Sequence, residues 1–335
     1  MKPIVAITIG DAAGIGPEIV TQALAKEYVY DMCRPLIIGD QNVLQKANDL
    51  LNLHLQMRTV GDPAEGHYEL GTIDLVDCKN IDSASFQGGK PDEMTGRAMI
   101  EYTNRAMGFL KANAVHAAIG GPHSKKAVDQ AGIRFAGYPN LITELTSAKR
   151  AFLMLVAGDL RVASATLHVS MRKACDLINK DLVLDIVAKV NEAVKLLGVE
   201  RPRIAVAGLN PHAGEEGMFG DEEIFHISPA IEAARVQGID VCGPFAGDSL
   251  FYKCLEHKYD AYVGMYHDQG HIALKTLALD KSCGLIIGTP VLFATVGHGC
   301  AQDIAWKGIA DPGSMLETIR VVSSMHMNRS ALSAN

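Results

Sequence analysis

Apolar residues recur along the chain in short runs, and between the runs they fall at helical spacing. The runs at 3–9, 35–39, 73–76, 115–119, 152–156, 160–166, 203–208, 240–242, 260–265 and 284–287 predict strands, and segments such as 92–112 and 179–198 predict helices. This alternation predicts an α/β architecture with a largely parallel sheet. No internal repeat, low-complexity tract or Ser/Pro linker cuts the chain. Any division is therefore expected to be an interdomain cleft that the chain crosses several times.

The first strand leads into IGDAAGIGPEIV, residues 9–20, where a dinucleotide fingerprint would sit. Its spacing does not match. Gly10, Gly14 and Gly16 give G-x-x-x-G-x-G, whereas the Rossmann pattern needs G-x-G-x-x-G. No Lys-Ser or Lys-Thr follows, which excludes a Walker loop, and Pro17 suits a first helical position. Two readings stay open: a strand-to-helix turn whose amides face a cleft, and a ligand-binding loop.

Composition narrows the function classes. The 335 residues are 48% hydrophobic and 21% charged, enough for two domains or one large α/β unit. A net charge of -7 and a pI near 5.9 argue against a nucleic-acid or anionic-membrane partner. Seven scattered cysteines (Cys33, Cys78, Cys175, Cys242, Cys254, Cys283, Cys300), odd in number and without a C-x-x-C pair, fit reduced thiols in a cytoplasm. Asp11 and the glycines break the first apolar run before it can serve as a signal peptide, and no segment approaches eighteen apolar residues.

Three histidines each follow a strand-like run: His168 after LRVASATL, His212 at the end of RIAVAGLNPH, His267 at the end of DAYVGMYH. Ligand crevices in parallel α/β sheets lie outside the carboxyl ends of the strands, so these three can converge. A structural, hydrogen-bonded role is the other reading of each. If they converge, three neutral imidazoles with an open fourth position describe a catalytic divalent site, for zinc in preference to magnesium. Asp268, Asp248 and Glu215 are the nearby carboxylates, with a helix cap as the other reading of Asp248. Such an ion would lower the pKa of an alcohol and polarise the carbonyl it becomes.

Near the carboxy terminus stands GHGCAQDIAWKGIADPG, residues 297–313, which reads as a Gly-His-Gly turn, a short helix beginning near Cys300 and a break at Gly308. The stretch resembles the adenosine-binding loop of the isocitrate and isopropylmalate dehydrogenases, which reads much like His-Gly-Ser-Ala-Pro-Asp-Ile-Ala-Gly-Lys-Gly. The resemblance implies that the nucleotide is held here rather than at residues 10–16, with His298, Gly299, Ala301 and Asp303 as cofactor contacts.

A wider resemblance covers nearly the whole chain. GDAAGIGPEI, NPHAGEEGMFGDEE, MYHDQG and HGCAQDIAWKG occur in the order and at the separations of the PdxA family, the 4-hydroxythreonine-4-phosphate dehydrogenases of vitamin B6 biosynthesis. It implies a two-domain α/β/α subunit of the isocitrate/isopropylmalate-dehydrogenase kind. One domain would comprise 1–125 with 275–335, and the other 126–274, carrying the metal histidines and dimer contacts. It implies a homodimer, with one divalent metal (zinc first; magnesium, manganese or cobalt otherwise) on His168, His212 and His267, one of them supplied across the dimer. The reaction implied is NAD- or NADP-dependent oxidation of a hydroxyl to a ketone, after which a β-keto acid can lose carbon dioxide.

Substrate residues depart from the family's phosphate-binding members, which carry Gly-His-Thr at Gly137, Tyr138 and Pro139, Asn near Gly284 and Arg near Phe293. Lys275 and Lys125 match frequent family lysines, and Lys275, Asp248 and Asp268 are the candidate catalytic groups. Loss of the arginine removes a planar bidentate donor for phosphate or carboxylate. AGYPNLITEL, HDQGHIALK and VGHG resemble instead a catabolic branch that includes terephthalate dihydrodiol dehydrogenase, and Tyr138 and Phe293 would suit a ring, or simply pack. The expected substrate is thus a hydroxy acid or cis-dihydrodiol carboxylate. The alternatives are 4-hydroxythreonine 4-phosphate, a phosphotransacetylase-like acyl transfer, which needs no three-histidine metal, and a catalytically silent metabolite-binding protein.

Overall fold

The computed structural model describes residues 2–254, 256, 258–278 and 281–334. The chain forms two compact units, one of residues 1–149 with 289–335, the other of 150–288. The sequence reading divides the chain at 125/126 and 274/275. Two packings account for the different borders. The helix Lys125–Gln130 lies against the helix Glu93–Lys111, where Gly96 lets the Ala127 backbone approach. Residues 283–287 pair as a strand within the second unit. Lys125 and Tyr138 therefore belong to the first unit, and Lys275 and Gly284 to the second.

The first unit holds strands β1 (Ile4–Thr8), β2 (Arg34–Gly39), β3 (Gln56–Thr59), β4 (Thr72–Asp77) and β5 (Ala117–Gly120), and from the carboxy-terminal segment β12 (Phe293–Val296). Their order is β3-β4-β2-β1-β5-β12, every pair parallel. All five residues of β1 are buried, as a central parallel strand covered on both faces requires. Helix Glu93–Lys111 starts at a capping box between Asp92 and Thr95.

The second unit contains β6 (Phe152–Ala157), β7 (Leu160–Ser164), β8 (Arg203–Ala207), β9 (Asp240–Phe245), β10 (Ala261–Gly264) and β11 (Cys283–Ile287), in the order β11-β6-β7-β10-β8-β9. β6 pairs antiparallel with β11 and β7, and the remaining pairs are parallel. Leu155, Val162, Ala205, Leu250, Tyr262 and Leu274 form its core. Helix Lys180–Leu196 covers this unit, capped by Asn179, whose side chain accepts from Leu182 N.

The α/β class with largely parallel strands is as the sequence predicts, and each of the ten predicted strands is present. β3 and β12 are additional. Among the described residues no helix is long and apolar enough to cross a membrane, and the six described cysteines are free thiols.

Candidate functional site

β7, β10 and β8 are adjacent parallel strands, and each of the three histidines lies just past one of their carboxyl ends. Backbone bonds from Ala165 N to Gly264 O and Thr166 N to Met265 O carry the β7–β10 pairing outward, and the Thr166 hydroxyl also donates to Met265 O. His168 and His267 are thereby brought together, ring centroids 5.8 Å apart. Gln269 ties the neighbouring strand ends: its Oε1 accepts from Met265 N at 2.6 Å, and its Nε2 donates to Gly208 O at 2.8 Å.

His267 opens the helix His267–Ala278, with His271 and Lys275 following at four-residue intervals along one face. Its Nδ1 lies 2.6 Å from Asp268 Oδ1, so Nδ1 carries the proton and the Nε2 lone pair is left for a ligand. His271 stacks on His267 at 3.8 Å and donates from Nδ1 to the His267 carbonyl. Burial, and then the proximity of His267 and Lys275, push the His271 pKa down to about 3. His271 is thus a neutral packing partner.

His212 is presented differently. Residues 212–216 all adopt left-handed backbone angles, four of them non-glycine, in the turn Pro211–Gly217. Such a run is disfavoured for L-residues. Buried Glu223 holds it, accepting from Leu209 N at 2.6 Å, Asn210 N at 2.8 Å and Asn210 Nδ2 at 2.9 Å. His212 shares with Asp248, Tyr266 and Asp268 the wall of an open cavity of about 540 Å³. Asp248 lies in the first turn of the helix Gly247–Leu250, not at its cap position, which Ala246 occupies; it faces the cavity.

Among the described residues of one chain, no three His, Cys, Asp or Glu side chains form a metal-holding group. The donor chemistry nonetheless fits a divalent ion: His267 is oriented by a carboxylate, and His168 stands beside it.

In the first unit, β1, β5 and β12 are neighbours, and their carboxyl ends carry residues 9–15, 121–123 and 297–300. The Gly10–Gly16 turn is used for close packing. A Cβ on Gly16 would run into the Ile9 carbonyl, and one on Gly14 would lie 2.7 Å from Cys300 Cβ. Ile15 N donates to Cys300 O. Residues 302–308 run in successive turns, not the predicted short helix, because Ala301 and Trp306 have positive φ. His298 is half-buried, while Gly299 and Asp303 are exposed. Burial, and then Asp11, push the Cys300 thiol up and leave it inert.

The remaining predicted substrate residues fare unequally. Tyr138 and Phe293 are 1% and 0% exposed, packed ring on ring at 5.2 Å, and the Tyr138 hydroxyl donates to Gly121 O. They are core residues, so the ring-substrate preference drawn from them is corrected: neither presents a face to a ligand. Gly284 is likewise buried, opposite Leu155 in β11. Pro139 lies half-buried in the first turn of the helix Tyr138–Thr146, and Lys125 is exposed at the start of its helix. Sequence reasoning passed over Glu223 and Gln269, and also Glu18, because each is fixed by backbone groups distant in sequence: Leu209 N and Asn210 N, Gly208 O, and Trp306 N and Gly308 N.

The fold comes first: the isocitrate dehydrogenase of Methylococcus capsulatus shares it at 15% identity, covering 98% of this chain and 86% of that one (TM-score 0.51). Residues 31–322 match the family described as pyridoxal phosphate biosynthetic protein PdxA, and the chain belongs to this family. It is 40% identical over 323 residues to a 4-hydroxythreonine-4-phosphate dehydrogenase of Desulforapulum autotrophicum (96% of this chain, 95% of that one). It is 41% identical over 318 residues to a putative D-threonate 4-phosphate dehydrogenase of Clostridium botulinum (95% of each). A putative 4-hydroxythreonine-4-phosphate dehydrogenase structure from Salmonella typhimurium is similar with a TM-score of 0.87 at 34% identity (97% and 100% coverage). A terephthalate 1,2-cis-dihydrodiol dehydrogenase from Burkholderia xenovorans LB400 is similar with a TM-score of 0.65, also at 34% (96% and 98%). The chain is accordingly an oxidoreductase of the dehydrogenase type.

Proposed function

We propose that this protein is a divalent-metal- and NAD(P)-dependent dehydrogenase that oxidises the secondary alcohol of a phosphorylated hydroxy acid. The carrying observation is the succession of His168, His267 and His212 behind three adjacent parallel strands, with Asp268 fixing the His267 tautomer. His168, His212 and His267 would hold the ion, zinc before manganese, cobalt or magnesium. When bound, it makes the alcohol more acidic and polarises the carbonyl that forms. His298, Gly299, Ala301 and Asp303 would hold the nicotinamide nucleotide, which would supply the hydride acceptor, and Asp248, on the wall of the cavity beside His212, is the candidate to take the hydroxyl proton. Lys275 positions the substrate carboxylate and steadies the enolate when a β-keto acid product loses carbon dioxide.

The substrate assignment reverses the order of preference drawn from sequence. With Tyr138 and Phe293 committed to the core, their apolar character no longer argues against phosphate, and relatives at 40–41% identity are named for 4-phosphate substrates. Exposed Lys125 is the candidate phosphate partner. The protein works as a cytoplasmic homodimer. Val169, Met171, Met218, Phe219 and Phe225, exposed in the histidine-bearing unit, support such an interface.

The test is steady-state reduction of NAD⁺ and NADP⁺ with D-threonate 4-phosphate, 4-phosphohydroxy-L-threonine and a cis-dihydrodiol carboxylate. Turnover of a phosphorylated acid, abolished by chelation and by His212→Ala, is expected. Turnover of the dihydrodiol alone would overturn the phosphate assignment, and full activity of His212→Ala would overturn the metal site.

A further inference from the structure

The helix behind the Gly10–Gly16 turn carries a carboxylate with no part in the chemistry above. Glu18 lies in the first turn of the helix Gly16–Leu24 and is fully buried. Its oxygens accept from two backbone N–H groups of the carboxy-terminal loop, Trp306 N at 2.6 Å and Gly308 N at 2.8 Å. Burying a carboxylate is costly unless it is hydrogen-bonded, and these two donors satisfy one oxygen each.

The donors come from a strained segment. Trp306 has φ +62°, at the position where the resembling adenosine-binding loop reads glycine. A bulky side chain in the left-handed region persists only where its surroundings over-determine it. Glu18 grips the backbone on both sides of Lys307. The Trp306 indole N–H donates to Ala12 O at 3.1 Å, and Ile15 N donates to Cys300 O at 3.0 Å. Both ends of the 300–308 loop are thus fastened to residues 12–18.

We propose that Glu18 is a positioning residue for the nicotinamide nucleotide: it holds the 300–308 loop in its cofactor-binding shape, with the Gly10–Gly16 turn as the seat of that loop instead of a phosphate cradle. This rests on the assignment of the cofactor to residues 298–303.

The chain contains one tryptophan, so Trp306 fluorescence reports on the loop without turnover. Glu18→Ala should shift the emission of the unliganded protein to the red. It should also raise the Kd for NADH or NADPH, read by quenching, by tenfold or more, the scale of losing charge-assisted bonds to two backbone donors. Glu18→Gln keeps one acceptor oxygen and should fall between. Zinc affinity, measured calorimetrically, should stay at the wild-type value in both. If the wild type binds neither nucleotide, or Asp303→Ala leaves its Kd unchanged, the cofactor assignment falls and takes this proposal with it. If the wild type binds through the loop while both Glu18 variants keep its Kd and emission, the Glu18 proposal alone is overturned. Loss of far-ultraviolet circular dichroism in both variants would also overturn it, because Glu18 would then hold the fold and not the loop.

Discussion

Removing the Glu223 carboxylate tests whether the left-handed turn at His212 is held from outside or holds itself. Three donors converge on this group, and hydrogen bonds to a charged acceptor contribute about 1.5–3 kcal/mol each. Leu209 and Asn210 are only half-buried, so water would replace part of what Glu223→Ala removes, and about half the gross value, roughly 3–4 kcal/mol, should be lost. Against this stands the cost of the left-handed residues His212, Ala213, Glu215 and Glu216, about 1–2 kcal/mol each. The two quantities are of the same order, so without the carboxylate the turn should relax to a right-handed path and carry His212 away. Differential scanning calorimetry should find Tm lower by about 10 °C, at roughly 2–4 °C per kcal/mol for a unit of this size. Calorimetric titration with zinc should find at least a tenfold weaker site. Glu223→Gln should lose less than half as much Tm. A Glu223→Ala protein that melts within about 2 °C of wild type and binds zinc unchanged would refute the reasoning.

Tyr138→Phe removes one buried hydroxyl bond to Gly121 O and should cost about 1–2 kcal/mol in denaturant unfolding with no change in substrate KM; a raised KM at unchanged stability would return Tyr138 to the substrate site. His116 and His326 meet edge to face at 4.5 Å, and burial first, then Arg34 for the one and His116 for the other, lowers both pKa values. Because the folded pKa values lie below the unfolded value of about 6.5, their contribution to stability is complete above that pH and declines as pH falls through it. His326→Gln should flatten the fall of Tm below neutrality, and parallel Tm–pH curves for variant and wild type would contradict this.

What the sequence revealed and what it hid divide along a physical line. β1 and β8 announce themselves as apolar runs, and the histidines behind them follow from strand ends alone. β3, Gln-Met-Arg-Thr on the sheet edge, carries no such run, and β12 is four residues long. Glu18 reads in sequence as an acidic residue favoured by the helix dipole in a first turn; its task depends on backbone donors 288 and 290 residues away. The turn at 212–216 has only Gly214 to suggest left-handed geometry, and its support comes from Glu223. Tyr138 and Phe293 looked like site residues because their burial is set by contacts far apart in sequence, which periodicity cannot register.

The division of the chain into one continuous and one split unit has a consequence for synthesis. Residues 150–288 form every strand pair of their unit from a single stretch, and Gly288 at its end packs against the Arg150 carbonyl at its beginning. On the ribosome this unit can close as soon as it has emerged. Residues 1–149, although made first, must wait: β5 has an open edge until β12 arrives, and Glu18 and Ala12 have no loop to hold until residues 300–308 are translated. The amino-terminal half therefore spends longest with an exposed strand edge, the condition under which nascent chains associate with one another. Truncation before β12 should be harmful out of proportion to the length removed.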